Sequence, residues 1–184
     1  MEKIDVFDLI ERMSALIRSE ERRKCTEFGL QQGHFQVMDY LSRCNRYSDT
    51  PAAVANYLGM TRGTISQTSI VLEKKGYIKK TPDVNDLRVV HLSLLEKGSI
   101  ILDKARPTEL YGKASEVFHE NNSGGNLFVN ALTALQKANK SQSFGLCKTC
   151  KHFTETPSGF VCNLTKEQLS HSDSQKICQE HTLS

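Results

Sequence analysis

The C-terminal part of the sequence carries four cysteines whose spacing is typical of metal ligands. They follow the pattern Cys147-x2-Cys150-x11-Cys162-x15-Cys178. A C-x2-C turn directs two thiolates toward one ion, and both tetrahedral zinc and iron–sulfur clusters use such ligands. In a reducing compartment, a cysteine cluster favours metal binding or redox chemistry over structural disulfides. We therefore predict a four-cysteine metal site, with zinc placed first and an iron–sulfur cluster as the alternative.

Each kind of site would serve the protein differently. A structural zinc would fold the tail, since metal binding can supply most of the stability of so short a segment. A cluster would make the tail a redox or gas sensor, and thiols that form a disulfide on oxidation would also sense redox state. His152, His171 and His181 are candidate substitute ligands, but we expect each of them at the surface. Cys25 and Cys44 are expected to be inert thiols, although the basic residues before Cys25 can lower its pKa.

A second set of side chains suited to binding occupies residues 61–67. The polar positions are small or rich in hydrogen-bond donors, whereas Ile65 between them is apolar. In the major groove of DNA an arginine can bind guanine and a glutamine can bind adenine, while hydroxyl groups can hold phosphates. We predict that a helix here contacts DNA through Thr61, Arg62, Thr64, Ser66 and Gln67.

The elements around this helix form a recognisable pattern. Thr50 can cap and Pro51 can begin a short helix that Gly59 ends. Thr61 caps the next helix, which we expect to bury Ile65 and Leu72 and to end at Gly76. Strands are predicted at 77–78 and 89–94, joined by the turn-rich segment 82–86. Two short helices followed by a hairpin predict a winged helix–turn–helix, with the helix–turn–helix at about 51–76 and the wing at about 77–95.

Amphipathic helices are predicted on both sides of the winged helix. Residues 4–24 have apolar side chains every three or four positions, and a second helix follows Gly33. After the wing, one helical stretch is expected from 96 to about 118. Polar residues and glycines at 121–125 break it, and 127–140 supplies a last helix. The expected fold class is therefore mainly α with a small β-hairpin wing.

Charge and composition divide the chain into two parts. Residues 51–98 include seven basic and four acidic residues, whereas the tail from 141 has four of each. Lys79, Lys80 and Arg88 place part of this basic excess on the wing, where it can contact DNA. We predict a winged-helix DNA-binding and dimerisation domain at 1–140 and a cysteine-rich tail at 141–184. A tail of this length buries little core alone, so it should need a staple or docking to the body.

The overall composition excludes other classes of protein. Apolar residues make up 38% of the sequence and charged residues 24%, which suits a packed core. The sequence has no apolar run of the length that spans a membrane, which is about 18 residues. Its first residues turn acidic at once and lack the features of a signal peptide. We therefore expect a cytoplasmic protein with no membrane partner.

The chain resembles the MarR family of bacterial transcriptional regulators. The resemblance is carried by LGMTRGTIS, LEKKGYI, Asp86-Leu87-Arg88 after Asp83, and HLSLLEKG. It covers about residues 1–140 and implies an obligate-type homodimer formed by interlocking N- and C-terminal helices. It also implies that Arg88 reaches the minor groove, that Asp86 orients the wing, and that a small-molecule effector binds between the dimer helices and the DNA-binding lobes. Leu95 departs from the family, which usually has a threonine there to cap the next helix.

These features predict a sequence-specific regulator that binds double-stranded DNA at a palindromic promoter site as a homodimer. Repression is expected, because occupying the promoter is enough to block transcription. The alternatives are a metal-dependent adaptor without sequence-specific DNA binding, and an iron–sulfur redox-sensing regulator. An enzyme is not expected. The sequence has no Gly-rich phosphate loop, nucleophile elbow or H-E-x-x-H motif, and four thiolates leave a metal no open position for catalysis.

Overall fold

Helices and one hairpin make up the body of the protein in the computed structural model, which describes residues 6–120, 124–138, 144–157 and 159–182. The apolar spacing and capping signals in the sequence account for most of these elements. In chain order they are α1 (Val6–Glu27), α2 (Gln32–Arg43), α3 (Pro51–Leu58), α4 (Arg62–Lys74), β1 (Ile78–Pro82), β2 (Val90–Leu94), α5 (Glu96–Ala105), α6 (Thr108–Glu120) and α7 (Gly124–Ala138).

The winged helix forms as its caps predict. The Ala53 N–H donates to the Thr50 hydroxyl at 3.3 Å, and the Thr64 N–H donates to the Thr61 hydroxyl at 3.1 Å. Gly59 ends α3 at a φ of +64°, a conformation that glycine adopts without steric cost. Strands β1 and β2 pair antiparallel, with Ile78 opposite Leu94. The predicted mainly α winged-helix fold is therefore confirmed.

An apolar core joins the helices to the wing. The predicted inner-face residues Val54, Ile65 and Leu72 are fully buried, as are Ile78 of β1 and Leu92 of β2. Phe35, Val37 and Met38 of α2 lie in the same core. Because α4 and both strands share this core, the exposed face of α4 and the wing are held in one arrangement.

Two helices occupy the segment where one was expected. The prediction of a continuous helix from 96 to about 118 is wrong, because Pro107 has no N–H to donate and disfavours helical backbone at the residue before it. Arg106 is accordingly extended, with a ψ of 133°. At Leu95, where the sequence departs from the family's threonine, α5 begins without a side-chain cap. The predicted break at 121–125 is only partly observable: 121–123 lie outside the described residues, while Gly124 and Gly125 already belong to α7.

The tail folds into a small β-rich unit, here called the cysteine module (residues 144–157 and 159–182). Its strands and short α-helix are β3 (Gly145–Leu146), β4 (Phe153–Thr156), β5 (Gly159–Cys162), β6 (Glu167–Leu169), α8 (His171–Ser174) and β7 (Ile177–Cys178). Strand β5 lies between β4 and β6 in one antiparallel sheet, and β3 pairs with β7 in a second. Gly159 begins β5 at a φ of +128°, a conformation that glycine adopts readily.

The cysteine module docks against the body between α2 and α3, in line with the expectation for so short a segment. Ile177 enters the core of the body and is 7% exposed. The Phe144 ring packs edge-on against Tyr57 at 5.1 Å and against Tyr40 at 6.5 Å. The sequence also predicts a miniature core around the metal, formed by Phe153, Phe160, Val161, Leu164 and Ile177. This prediction is partly wrong, because Ile177 packs into the body and Leu164 is exposed. None of the helices in the described ranges is long and apolar enough to cross a membrane.

Candidate nucleic-acid interface and cysteine cluster

The outer face of α4 presents the predicted DNA-contacting side chains to solvent. Ile65 anchors the helix in the core, and Arg62, Ser66 and Gln67 are exposed around it. Thr61 and Thr64 are also exposed, and their hydroxyl oxygens lie 2.9 Å apart. The helix therefore offers hydrogen-bonding groups of the kinds that recognise base edges and phosphates.

The wing holds its arginine at the tip. The Arg88 side chain is 91% exposed, and its Nε and Nη2 donate to the two carboxylate oxygens of Asp86, each at 2.8 Å. Hydrogen bonds from Arg88 hold the pKa of the Asp86 carboxyl below its usual range. This paired geometry fixes the direction in which the guanidinium projects, and its exposed edge is available to a phosphate or a narrow groove.

The two wing lysines have different surroundings. Lys79 is exposed on β1. Lys80 is half-buried, and its ammonium lies 3.4 Å from a carboxylate oxygen of Glu73 on α4. The Lys80 N–H also donates to Glu73 at 3.2 Å. We infer that Lys80 helps to attach the wing to α4, whereas the charged side chain of Lys79 is exposed to solvent.

A half-buried contact anchors the wing to the loop before α3. The sequence did not indicate this contact. His91 Nδ1 lies 2.5 Å from Asp49 Oδ1, and His91 Nε2 lies 3.2 Å from Asp83 Oδ2. The bond to Asp49 is the main reason that the pKa of His91 is raised. Burial raises the pKa of Asp49, although the bond to His91 opposes this shift. No sequence pattern links Asp49 to His91, so only the folded chain reveals the contact.

Asp83 extends this contact into the turn of the wing. Its Oδ1 accepts the N–H groups of Asn85 and Asp86 at 2.7 and 2.8 Å. These backbone bonds are the main reason that the pKa of Asp83 is lowered. His91 thus holds the carboxylate that shapes the turn just before Arg88.

The four predicted metal ligands line one small cavity in the cysteine module. Its volume is about 20 Å³, and Cys147, Cys150, Cys162 and Cys178 all contribute to its wall together with His152. The space between the four side chains is thus comparable to that of one water molecule, roughly 10–15 Å³. Burial, reinforced by the other three thiols, raises the pKa of Cys147 to about 12.

Backbone groups surround two of the sulfur atoms as they do in thiolate sites. The Thr182 N–H donates to Cys150 Sγ at 3.4 Å. Burial raises the pKa of the Cys162 thiol, but hydrogen bonds from Thr165 and from the Leu164 backbone outweigh it and lower the pKa overall. Such donors stabilise negative charge on sulfur and orient metal ligands. However, no three His, Cys, Asp or Glu side chains within the described ranges already have the arrangement that would hold an ion. The structure therefore gathers the cysteines around one cavity without forming a finished coordination site.

The remaining sequence-based expectations for histidines and thiols have mixed outcomes. His171 is exposed, but His181 is 5% exposed, so its predicted surface position is wrong. The His181 ring packs over Gly145, where a Cβ atom would lie only 2.6 Å from it. The suggestion that basic neighbours lower the pKa of Cys25 is also wrong, because burial raises it to about 11. Burial likewise raises the pKa of Cys44 to about 12, which agrees with an inert thiol.

Comparison with known proteins confirms the resemblance of the winged-helix segment. The model of the MarR family matches residues 28–88. The Escherichia coli HTH-type transcriptional regulator PapX is 25% identical over 99 residues, which cover 54% of this chain and 60% of PapX. Transcriptional repressor MprA of E. coli K12 is 30% identical over 81 residues, which cover 44% of this chain and 46% of MprA. The chain thus spans about half the length of these curated relatives.

The fold comparison extends beyond the winged helix. Staphylococcus aureus MepR, in a crystal structure described as its DNA-binding conformation, matches with a TM-score of 0.62 and 19% identity. The match covers 72% of this chain and 100% of that of MepR. At this identity the likeness establishes the fold and not the activity.

Proposed function

We propose that this chain, whose residues 28–88 match the model of the MarR family, is a DNA-binding transcriptional regulator. The observation that carries the proposal is the exposed polar face of α4 beside a wing that projects Arg88. The relatives support the same function, since PapX is named a transcriptional regulator and MepR adopts a DNA-binding conformation. The name of MprA, a transcriptional repressor, supports repression over activation.

The division of labour between α4 and the wing follows from the chemistry of their side chains. Arg62 and Gln67 carry the donors that can discriminate bases in the major groove, whereas the hydroxyls of Thr61, Thr64 and Ser66 suit phosphates. Lys79 contributes a charge that any DNA sequence attracts. Arg88 extends the contact toward the minor groove, where a fixed guanidinium favours a narrow, electronegative site.

We further propose that two copies bind a palindromic site. Large apolar side chains on α1 and α7 are exposed, among them Val6 and Leu9 on α1 and Leu127 and Val129 on α7. Several large apolar side chains exposed on one helix are typical of an interaction site, and a second copy of the chain can cover both helices. Each protomer then supplies one α4, so the two half-sites lie about one turn of DNA apart.

Binding to a duplex selected by the protein from a randomised pool tests DNA recognition. Arg62→Ala should relax base preference, whereas Lys79→Ala should weaken binding to all sequences and reduce the salt slope by about 1. Thr154→Ala, on β4 of the cysteine module and outside α1, α4 and α7, is the control. Equal affinity for selected and random duplexes at every salt concentration would contradict the proposal and favour a protein-interaction adaptor. A monomer at micromolar concentration in sedimentation would contradict the dimer.

We propose that the cysteine module binds one zinc ion through Cys147, Cys150, Cys162 and Cys178. Support comes from the shared cavity of about 20 Å³ and from the N–H···S contact at Cys150. Four thiolates are a ligand set that tetrahedral zinc commonly takes. An iron–sulfur cluster, which also takes cysteine ligands, is the alternative that metal analysis distinguishes.

Metal analysis and a visible spectrum of protein purified without oxygen test this site. One zinc per chain without visible absorption is expected, and Cys162→Ser should lower the zinc content while Cys25→Ala should not. Iron and sulfide together with a broad visible band would show that the site holds an iron–sulfur cluster and not zinc. A chain free of both metals would remove the site.

We also propose that a small apolar effector binds beside α3. A cavity of about 610 Å³ lies between α3, α7 and the cysteine module, and Tyr57, Leu132 and Phe144 are among its lining residues. This volume suits a small molecule. Anilinonaphthalene sulfonate should fluoresce on binding the wild type, and Leu132→Trp should reduce that signal by filling the cavity. Undiminished fluorescence in the variant would place the probe elsewhere.

A further inference from the structure

The loop at 44–49, which joins α2 to α3, lies between the cysteine module and the wing. On the module side, the Asn45 N–H donates to the Ile177 carbonyl at 2.9 Å. The Gln179 N–H donates to the Ser48 hydroxyl at 2.8 Å, and Gln179 Nε2 donates to the Tyr47 carbonyl at 2.8 Å. Ile177 and Gln179 are the two neighbours of Cys178. The loop is therefore bonded to the chain on both sides of one candidate ligand.

A second strand of the module contacts the same loop. Arg46 Nη2 lies 2.8 Å from a carboxylate oxygen of Glu167, and the Tyr47 hydroxyl donates to the same oxygen. Glu167 of β6 is the register partner of Cys162 on β5. The contacts of the loop thus reach the immediate surroundings of two cysteines that lie in different sheets of the module.

The far end of the loop holds the wing. The carbonyl of Asp49 accepts the Leu92 N–H at 2.9 Å, and its carboxylate lies 2.5 Å from His91. His91 in turn contacts Asp83, whose carboxylate shapes the turn that precedes Arg88. Between residue 45 and residue 49 the loop is packed tightly: Asn45 and Ser48 are buried, and the Ser48 hydroxyl donates to the Asn45 side chain at 2.8 Å. Buried side chains therefore connect the two ends of the loop.

We propose that the loop at 44–49 couples the cysteine module to the wing, so that a metal ion held by the four cysteines strengthens DNA binding. This inference rests on the DNA binding and the zinc site proposed above. An ordered module holds the loop, and the loop holds Asp49 against His91 and Leu92. The wing then needs less ordering when it meets DNA, so affinity rises. Coupling of this kind typically changes affinity by about 5- to 150-fold, and we expect about tenfold here.

The decisive experiment compares zinc-loaded and chelator-treated full-length protein. The wild type should lose about tenfold in DNA affinity when zinc is removed. The double variant Glu167→Ala/Gln179→Ala cuts side-chain contacts to the loop and leaves all four cysteines in place. It should still bind zinc, but chelation should lower its DNA affinity by clearly less than the wild-type factor of about ten, because the backbone bonds from Asn45 and to Ser48 remain. Thr154→Ala deletes only a contact inside the module, the 2.7 Å bond from Asn163, and should behave like the wild type.

A second measurement needs no DNA. Hydrogen exchange at the Leu92 N–H and along 83–92 should become faster when zinc is removed from the wild type, and should increase less when zinc is removed from the double variant. The coupling is overturned if chelation leaves wild-type affinity and wing exchange unchanged, or if it weakens the double variant as much as the wild type. Failure of DNA binding itself would appear as missing affinity in the zinc-loaded wild type, and exchange would still report on the coupling. A chain that takes up no zinc overturns metal control of the wing along with the site.

Discussion

The winged helix and the cysteine module are stabilised in different ways. The winged helix has a continuous core in which Ile65, Leu72, Ile78 and Leu92 are at most 1% exposed. In the module, by contrast, the aromatic pair Phe153 and Phe160 is only half-buried, and Leu169 is the buried aliphatic side chain of its three-stranded sheet. The first region is held by apolar burial, whereas the second depends on hydrogen bonds and on attachment to the body.

This contrast explains why the module needs its neighbours. Burying an aliphatic side chain contributes about 1.5–3 kcal/mol, and a small unit with few such residues cannot offset the entropy lost on folding. The module compensates by placing Ile177 in the core of the body. Its cavity of four thiols offers a further cross-link if it is filled by zinc.

The strongest test of the contrast is a substitution that creates a cavity in the core of the winged helix. Leu72→Ala should lower the free energy of unfolding by about 2–5 kcal/mol, because Leu72 is 0% exposed and its neighbours cannot fully close the gap. Urea denaturation measures this loss. The adjacent Val71→Ala, on the exposed side of α4, should stay within about 0.5 kcal/mol of the wild type. Equal losses for the two variants would show that apolar burial does not dominate this region.

The next largest effect is expected where the two regions meet. Ile177→Ala should cost about 2 kcal/mol in urea denaturation, because it removes the apolar side chain that the module contributes to the core of the body. Leu146, its partner across the β3–β7 pair, is 38% exposed. Leu146→Ala should therefore cost much less. If Ile177→Ala leaves the main transition unchanged, the module unfolds independently of the body, and the contact is not energetically coupled.

Sequence patterns predicted the winged helix well for the same physical reason. Thr50, Gly59 and Thr61 act through bonds within a few residues, and the spacing of Ile65 and Leu72 follows the helical repeat. The tail has short strands and little apolar periodicity. The sequence therefore predicted that its four cysteines lie together and that the tail docks to the body, but it did not predict the two sheets. The Asp49–His91 contact and the place of Ile177 depend on residues far apart in the chain, which no local pattern reports. Pro107 is itself a signal that a helix ends, but the helical spacing of apolar residues on both sides of it led to the prediction of one continuous helix.

A smaller effect on stability is expected when two glycines are replaced by alanine, one in the module, where space is limited, and one in a helix of the body, where it is not. Gly145→Ala should destabilise the protein by about 1–2 kcal/mol, because the added methyl group would meet the buried His181 ring at 2.6 Å. Gly112 lies in α6, where a Cβ atom would meet nothing within 4 Å. Gly112→Ala should therefore be neutral or should stabilise the helix by up to about 1 kcal/mol. A Gly145→Ala protein as stable as the wild type would mean that the His181 ring moves aside at little cost.

The smallest expected effect concerns the histidine that joins the loop to the wing. Because bonds to Asp49 and Asp83 raise the pKa of His91 above its ordinary 6.5, the folded protein favours the protonated ring. The stabilisation is therefore complete below the unfolded pKa and is lost as pH rises through the higher folded pKa. His91→Gln should reduce stability most near about pH 6, and the difference from the wild type should shrink toward about pH 9. Exposed His171→Gln is the control in urea denaturation across this range. A difference that grows with pH would mean that the neutral ring is the form that the wing stabilises, and that the two carboxylates do not hold His91 through its charge.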